Sequence, residues 1–239
     1  DFLCNENHTS KALQLPEGTE NVVVLSCGCA VEMDWDVKAK AVIHGYLGGQ
    51  AGALAMAKLL IGEANPCGKL SETVPLRYED VSSAPYYPGM EATSEYREGL
   101  YVGYRYFDTA KRKVKYPFGY GLSYTDFELK TVCACADWEK TTLTVQVTNT
   151  GKCYGKEVVQ LYVNDVVSSV VTPLKLLQGF ERITLRAGES KTVEFTLEYK
   201  AFRLLNKDYE WVVEDGDFEI MVGAASNDIR LKETITIKE

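Results

Sequence analysis

The sequence is poor in the residues from which metal and redox centres are usually built. Only two histidines, His8 and His44, occur in 239 residues, and the seven cysteines contain no C-x-x-C spacing. A zinc ribbon or a thioredoxin-type redox pair is therefore not spelled out. The pairs Cys27/Cys29 and Cys133/Cys135 are one residue apart, a spacing that in a strand puts both side chains on one face. Basic clusters are scarce too. The one basic run, KRKVK at 111–115, lies between aromatic segments and reads as a solvated turn. Residues 1–126 carry 12 Lys/Arg against 16 Asp/Glu, and residues 127–239 carry 14 against 18, within a net charge of −8. Without a Lys/Arg-rich face, nucleic acid is not expected as a partner. No apolar run approaches the roughly 20 residues that span a bilayer, and no charged-then-apolar leader opens the chain. The expectation is a cytoplasmic protein without membrane contact, holding reduced and mostly buried thiols. The first residue is not Met, and the chain reads as cut from something longer.

What is present is globular: 46% hydrophobic and 25% charged residues, at a length that suits two domains. The pattern changes near residue 126. Before it, NVVVLSCG (21–28) and AVI (41–43) read as short buried strands. QAGALAMAKLLIG (50–62) has the small and apolar spacing of a helix packed on a sheet, with Gly62 as C-cap. Strands alternating with helices predict an α/β sandwich domain over 1–126, a mostly parallel sheet with flanking helices. Residues 81–126 are rich in Tyr, Pro and Gly, in EYREGLYVGYRYFD and KYPFGYGLSYTDF. They form either an aromatic packing seam between domains or a wall beside a sugar site, where flat rings and hydroxyl tips suit carbohydrate.

From residue 127 polar and apolar residues alternate with period two, around turn signals at Asn149–Gly151, Ala187-Gly188-Glu189 and Asp215-Gly216. This predicts an all-β antiparallel sandwich over 127–239. Trp211 and Phe218 are expected in its core.

Candidate chemistry is thin. Glu6 and His8 sit in LCNENHTSKALQLPEG (3–18). By type alone Glu6 is a catalytic acid or a solvated one, and His8 touches substrate, tunes Glu6, or is a surface residue. Glu98 and Arg105 form a structural ion pair or approach a sugar site. Asp34 and Asp36, around Trp35, fit an acidic cap at a strand-to-helix turn. No metal or phosphate motif stands out.

YLGGQAGALAMAKLLIGEANPCGKLSETVP (46–75) resembles the signature G-x-x-x-A-x-A-x-x-L-x-G-x-x-N-P-S-G-K-L-P-x-T-x-P of glycoside hydrolase family 3. EVVQLYVND, PLKLLQGFERITLRAGESKTVEFTL and WVVEDGDFEIMVGAAS resemble that family's fibronectin type III-like domain. The resemblance implies part of a retaining β-glycosidase acting on terminal non-reducing β-D-glucosyl residues, without a cofactor. Its expected partners are a β-glucoside or oligosaccharide substrate and a (β/α)8 barrel. That barrel would supply the nucleophilic Asp and is not in this chain, since eight βα units need about 250 residues. The acid/base Glu of such enzymes falls shortly before a Leu-Pro, which carries the role onto Glu6, ahead of Leu15-Pro16. The chain alone is then expected to be inactive. A β-xylosidase or arabinosidase of the same family, or a non-catalytic carbohydrate-binding or scaffold module, are the alternatives; oligomerisation is open. Departures from the family pattern are Asn7 for a flanking Gly, Cys67 for the signature Ser and Ala30 where Pro is common. LPEGTE also runs directly into NVVVLS, whereas a parallel crossover needs about a dozen residues or more. Either the chain is shortened there or two segments are joined across a gap near Glu20–Asn21, and the gap is the expectation.

Overall fold

The computed structural model describes residues 20–89, 92–136 and 140–238. In the first half, strands β1 (Val22–Leu25) and β2 (Ala41–His44) are followed by helix α1 (Gly52–Leu60), strand β3 (Val74–Pro75), helix α2 (Tyr104–Thr109) and strand β4 (Val114–Tyr116). β1 and β2 are parallel, with Val22 opposite Ala41 and Leu25 opposite His44. β3 and β4 are antiparallel. A small core of Ala30, Val31, Met33, Trp35 and Val74 packs under them, with Val23, Leu25, Val42 and Tyr116 against it.

The expected mostly parallel sheet is not found. Parallel pairing is confined to β1 and β2, and every other strand pair among the described residues is antiparallel. After α1 the chain does not return to a third parallel strand. It runs without regular structure through Pro66 and Gly68, and the next strand is two residues long, ends at Pro75 and pairs with β4. A short apolar run reads the same in a central parallel strand and in a small edge ribbon, so periodicity could not separate them. α1 does form, from Ala, Leu and Met that favour a helix. It ends where Ile61 N–H bonds Ala57 O at 3.1 Å and Gly62 N–H bonds Leu59 O at 3.1 Å, with Gly62 at φ 77°. None of its residues is fully buried, against the expectation of close packing on a sheet.

The second half is a sandwich built from β5 (Phe127–Ala136), β6 (Lys140–Asn149), β7 (Gly155–Asp165), β8 (Leu176–Leu185), β9 (Ser190–Glu198), β12 (Gly216–Ala225) and β13 (Asp228–Ile237). A small ribbon of β10 (Leu204–Leu205) and β11 (Trp211–Val212) completes it. One sheet has the order β13-β12-β7-β8 and the other β5-β6-β9. Alternation along β6 buries Leu143, Val145 and Val147 completely, each contributing about 1.5–3 kcal/mol of burial. They meet Val159, Leu161, Val193, Phe195, Ile220 and Val222 from both sheets. The turn signals at Asn149–Gly151 and Ala187–Glu189 carry the chain from one sheet to the other instead of closing hairpins. Phe218 is in the core, but Trp211 is 56% exposed, with Arg203 stacked 4.3 Å from its ring centroid. The cysteines also depart from expectation. Cys27, Cys29 and Cys67 are half-buried, and Cys133 and Cys153 are exposed.

β7 is buried on both faces. Val159, Leu161 and Val163 face the sandwich core, while Gln160 and Tyr162 point the other way and are covered by the first half. Gln160 Nε2 donates to Gly119 O at 3.1 Å and to Ala224 O at 2.7 Å, and its Oε1 accepts the Tyr162 hydroxyl at 2.6 Å. Gly119 has φ 80°, and a Cβ there would collide with Gln160 Oε1, so this approach needs glycine. Tyr104 stacks on Phe118 at 4.8 Å, meets Tyr162 edge-on at 5.8 Å, and its hydroxyl accepts Leu177 N–H at 2.8 Å. Two largely buried ion pairs cross the same joint, Lys69–Glu157 at 2.8 Å and Lys175–Asp108 at 3.2 Å. This part of the tyrosine-rich stretch is therefore a packing seam. Tyr87 and Tyr96 lie exposed beyond it.

Candidate functional site

Ligands of open α/β sheets bind at the carboxyl ends of parallel strands; here Cys27, His44 and Tyr46 lie at or just past those ends, and Glu72, from the segment before β3, acts on His44 and Tyr46. Gly45 follows β2 with its N–H bonded to Leu25 O at 2.8 Å, and a Cβ there would lie 3.2 Å from both Leu25 O and Met56 Cε. The chain then bends through Tyr46, which holds a left-handed φ of 47°. This lets its ring stack on His44, centroids 3.9 Å apart, while its N–H donates to His44 Nδ1 at 3.2 Å. Gly48 closes the turn into α1, since a Cβ on it would lie 2.9 Å from Gly52 Cα.

The hydrogen bonds fix the protonation of this cluster. Nδ1 accepts, so the neutral imidazole carries its proton on Nε2, which faces Cys27 Sγ at 3.9 Å. Cys27 Sγ in turn donates to Cys29 O at 3.4 Å. Burial lowers the His44 pKa, against the opposing pull of Glu72. Burial first and Glu72 second hold the Tyr46 phenol above its usual value. A histidine committed in this way donates and orients; it is not placed to take a proton. Among the described residues one carboxylate, Glu72, acts on the cluster, and no second one faces it there as glycosidic chemistry requires.

The signature segment serves the joint between the halves. Asn65 Oδ1 accepts Ser123 Oγ at 3.0 Å and Tyr124 N–H at 2.9 Å, and its Nδ2 donates to Tyr154 O at 2.9 Å. Lys69 Nζ donates to Gly121 O at 2.9 Å besides pairing with Glu157.

Glu6 and His8 lie outside the described residues. Glu98 and Arg105 do not pair with each other: Glu98 accepts the Ser82 hydroxyl, and Arg105 Nε donates to Val102 O at 3.4 Å. Asp36 is no helix cap. It is held by Lys115 Nζ at 2.5 Å and the Tyr116 hydroxyl at 2.6 Å, and so ties the turn at Asp34–Lys38 to β4. Lys115 thus leaves the solvated turn predicted for KRKVK. Among the described residues no group of three or more His, Cys, Asp or Glu is arranged to hold a metal ion, and no helix is long and apolar enough to cross a membrane. Sequence reasoning passed over His44, Tyr46 and Glu72. The available signal was a histidine closing an apolar strand just before a glycine-rich turn.

Comparison with known proteins extends these observations. Residues 6–124 match the glycosyl hydrolase family 3 C-terminal domain, and residues 157–226 match the fibronectin type III-like domain. Thermostable beta-glucosidase B of Acetivibrio thermocellus is 48% identical over 221 residues, covering 90% of this chain and 29% of that protein. An exo-alpha-(1->6)-L-arabinopyranosidase of Bifidobacterium longum is 41% identical over 220 residues, again 90% and 29%. The structure of beta-glucosidase 3B from Thermotoga neapolitana in complex with glucose superposes with a TM-score of 0.94 at 34% identity, over 100% of this chain and 35% of that one. The chain thus spans about a third or less of the relatives it matches.

Proposed function

From the premise that this chain belongs to glycoside hydrolase family 3, as its C-terminal portion, we propose that it is part of a retaining β-glycosidase that removes terminal β-D-glucosyl residues. The observation that carries this reading is the 48% identity to a beta-glucosidase across nine-tenths of the chain. In such a reaction two carboxyl groups stand about 5–5.5 Å apart across the scissile bond. One attacks the anomeric carbon. The other protonates the leaving oxygen and then deprotonates the water that releases the sugar. Glu6 takes the acid/base role here. The nucleophilic Asp belongs to a barrel domain outside this chain, so residues 1–239 alone hydrolyse no glycoside.

Azide rescue of Glu6→Ala in the full-length enzyme tests the assignment. Aryl β-glucosides with poor leaving groups should lose about 10²–10⁴-fold in rate, the usual worth of a general acid. Good leaving groups should lose much less, and azide should restore turnover by attacking without a base. Near-normal rates on both substrates refute the role of Glu6. Identities of 40% and 41% to two arabinopyranosidases favour a second reading, the same chemistry on a different sugar. A panel of aryl glycosides separates the two by comparing kcat/KM.

A further inference from the structure

We propose that the exposed apolar surface of β1 and α1 is an intramolecular docking surface, seated in the whole enzyme against the part of the protein that precedes Glu20. The proposal rests on the glycosidase reading for the existence of that part.

The two halves of the molecule follow different surface rules. Every exposed position of β9 and β13 is polar or charged, as Lys191, Glu194 and Thr196 are on one and Arg230, Lys232 and Thr234 on the other. On β1 the exposed positions are Val22 and Val24, in register with Ala41 and Ile43 of β2. The reverse face of that pair, Val23, Leu25 and Val42, is already spent on the small core around Met33 and Trp35. Parallel strands occur almost only where both faces are covered, yet Val22 and Val24 lack cover among the described residues.

α1 repeats the exception. From Ala51 to Ile61 its one charge is Lys58, while Leu54, Leu60 and Ile61 are exposed and no residue of the helix is buried. A helix apolar on all sides belongs in an interior. It adjoins the strand pair through Met56, whose Cε would lie 3.2 Å from a Cβ on Gly45. Exposed apolar surface on two adjoining elements marks an interface.

The occupant follows from where this surface lies. β1 is the first described strand, so the chain before Glu20 arrives beside Val22. Residues 1–239 span 29% of the Acetivibrio β-glucosidase and 35% of the Thermotoga one, which leaves the larger part of such a protein to be seated. A tethered part docks at an effective concentration of about millimolar, so it needs less contact than a free partner. A second copy of this chain fits worse, because a two-fold copy of α1 brings Lys58 another lysine and no acid. The face that docks is therefore aliphatic, with a carboxylate opposite Lys58.

The test is hydroxyl-radical footprinting of the full-length enzyme, read by mass spectrometry, with leucines of the sandwich half as internal standards. Leu54 is 63% exposed and Leu60 51%, against 44% for Leu174 and 41% for Leu205. Left bare, Leu54 and Leu60 oxidise at least as fast as the two standards; docked, they oxidise tenfold or more slowly, which is the expected result. Bare rates overturn the proposal. So does protection that fades on hundredfold dilution, the behaviour of a second copy. Carbodiimide cross-linking of Lys58 identifies the occupant. A bond to a carboxylate preceding Glu20 is expected, and a bond instead to residues 20–239 of another molecule, told apart by isotope mixing, overturns the proposal. Hydrolysis of aryl glycosides is assayed on the same sample. Hydrolysis without protection overturns the docking and leaves the glycosidase reading standing. Protection without hydrolysis of any aryl glycoside does the reverse.

Discussion

Replacing Gln160 by Leu preserves side-chain volume while removing three hydrogen bonds. The residue is 3% exposed, so water does not replace them. Gly119 O and Ala224 O each lose a donor, and the Tyr162 hydroxyl loses its acceptor. A buried polar group left unsatisfied costs about 1–3 kcal/mol. Three of them sum to about 3–9 kcal/mol, and relaxation of the Gly119 turn toward water brings the expected loss to about 3–6 kcal/mol. Against a typical domain stability of about 5–15 kcal/mol this is a severe lesion. Urea unfolding of the chain, followed by near-ultraviolet circular dichroism of the tyrosine seam, measures it. A native baseline that is lost, or a midpoint far below the parent, is the expected result. A loss under about 1 kcal/mol refutes the claim that this glutamine locks the halves together.

The Lys69–Glu157 pair makes a related prediction with the opposite double-variant outcome. Lys69→Met leaves the buried Glu157 without its 2.8 Å ammonium partner and should cost about 3–5 kcal/mol, whereas Lys69→Met with Glu157→Leu should recover most of that, read from the same urea midpoints. His44 adds a pH dependence. Its folded pKa lies below the ordinary histidine value because burial disfavours the cation. The unfolded chain then binds the proton first as pH falls. The contribution of His44 is whole above about pH 6.5 and is lost progressively below it. His44→Asn keeps an acceptor for Tyr46 N–H and should flatten the fall in melting temperature between pH 7 and 5; an unchanged slope refutes the burial argument.

The residues that were legible beforehand are those whose environment is set by their neighbours in sequence. Leu143, Val145 and Val147 alternate with polar residues and are buried as that alternation demands. Gly62 stops α1 where a glycine at positive φ stops a helix. What was illegible depended on contacts distant in sequence. Nothing local in EVVQLYVND shows that Gln160 and Tyr162 face a second buried surface, because that surface comes from residues 104–119. The turns at Asn149 and Gly188 were visible, but whether a turn closes a hairpin or changes sheets depends on which strands pair. Trp211 looked like core by type, yet it stands outside with Arg203 across its face. The parallel sheet failed for the same reason, since two short apolar strands do not reveal how many follow. Glu6 and His8 fall outside the described residues. His44 was passed over because its meaning lies in Tyr46 and Cys27 converging on it.

A strand with two buried faces has a consequence for gene architecture. Fibronectin-like modules are commonly regarded as beads that recombination can add or remove at a linker. Here a cut after Asp126 strips Gln160, Tyr162 and Glu157 of their cover and leaves Gly119, Lys69 and Tyr104 facing water. Each fragment would carry a sticky, partly charged scar, prone to aggregate. The two halves should therefore be inherited, expressed and engineered as one piece, and a chimera that exchanges the sandwich must exchange the 104–121 segment with it.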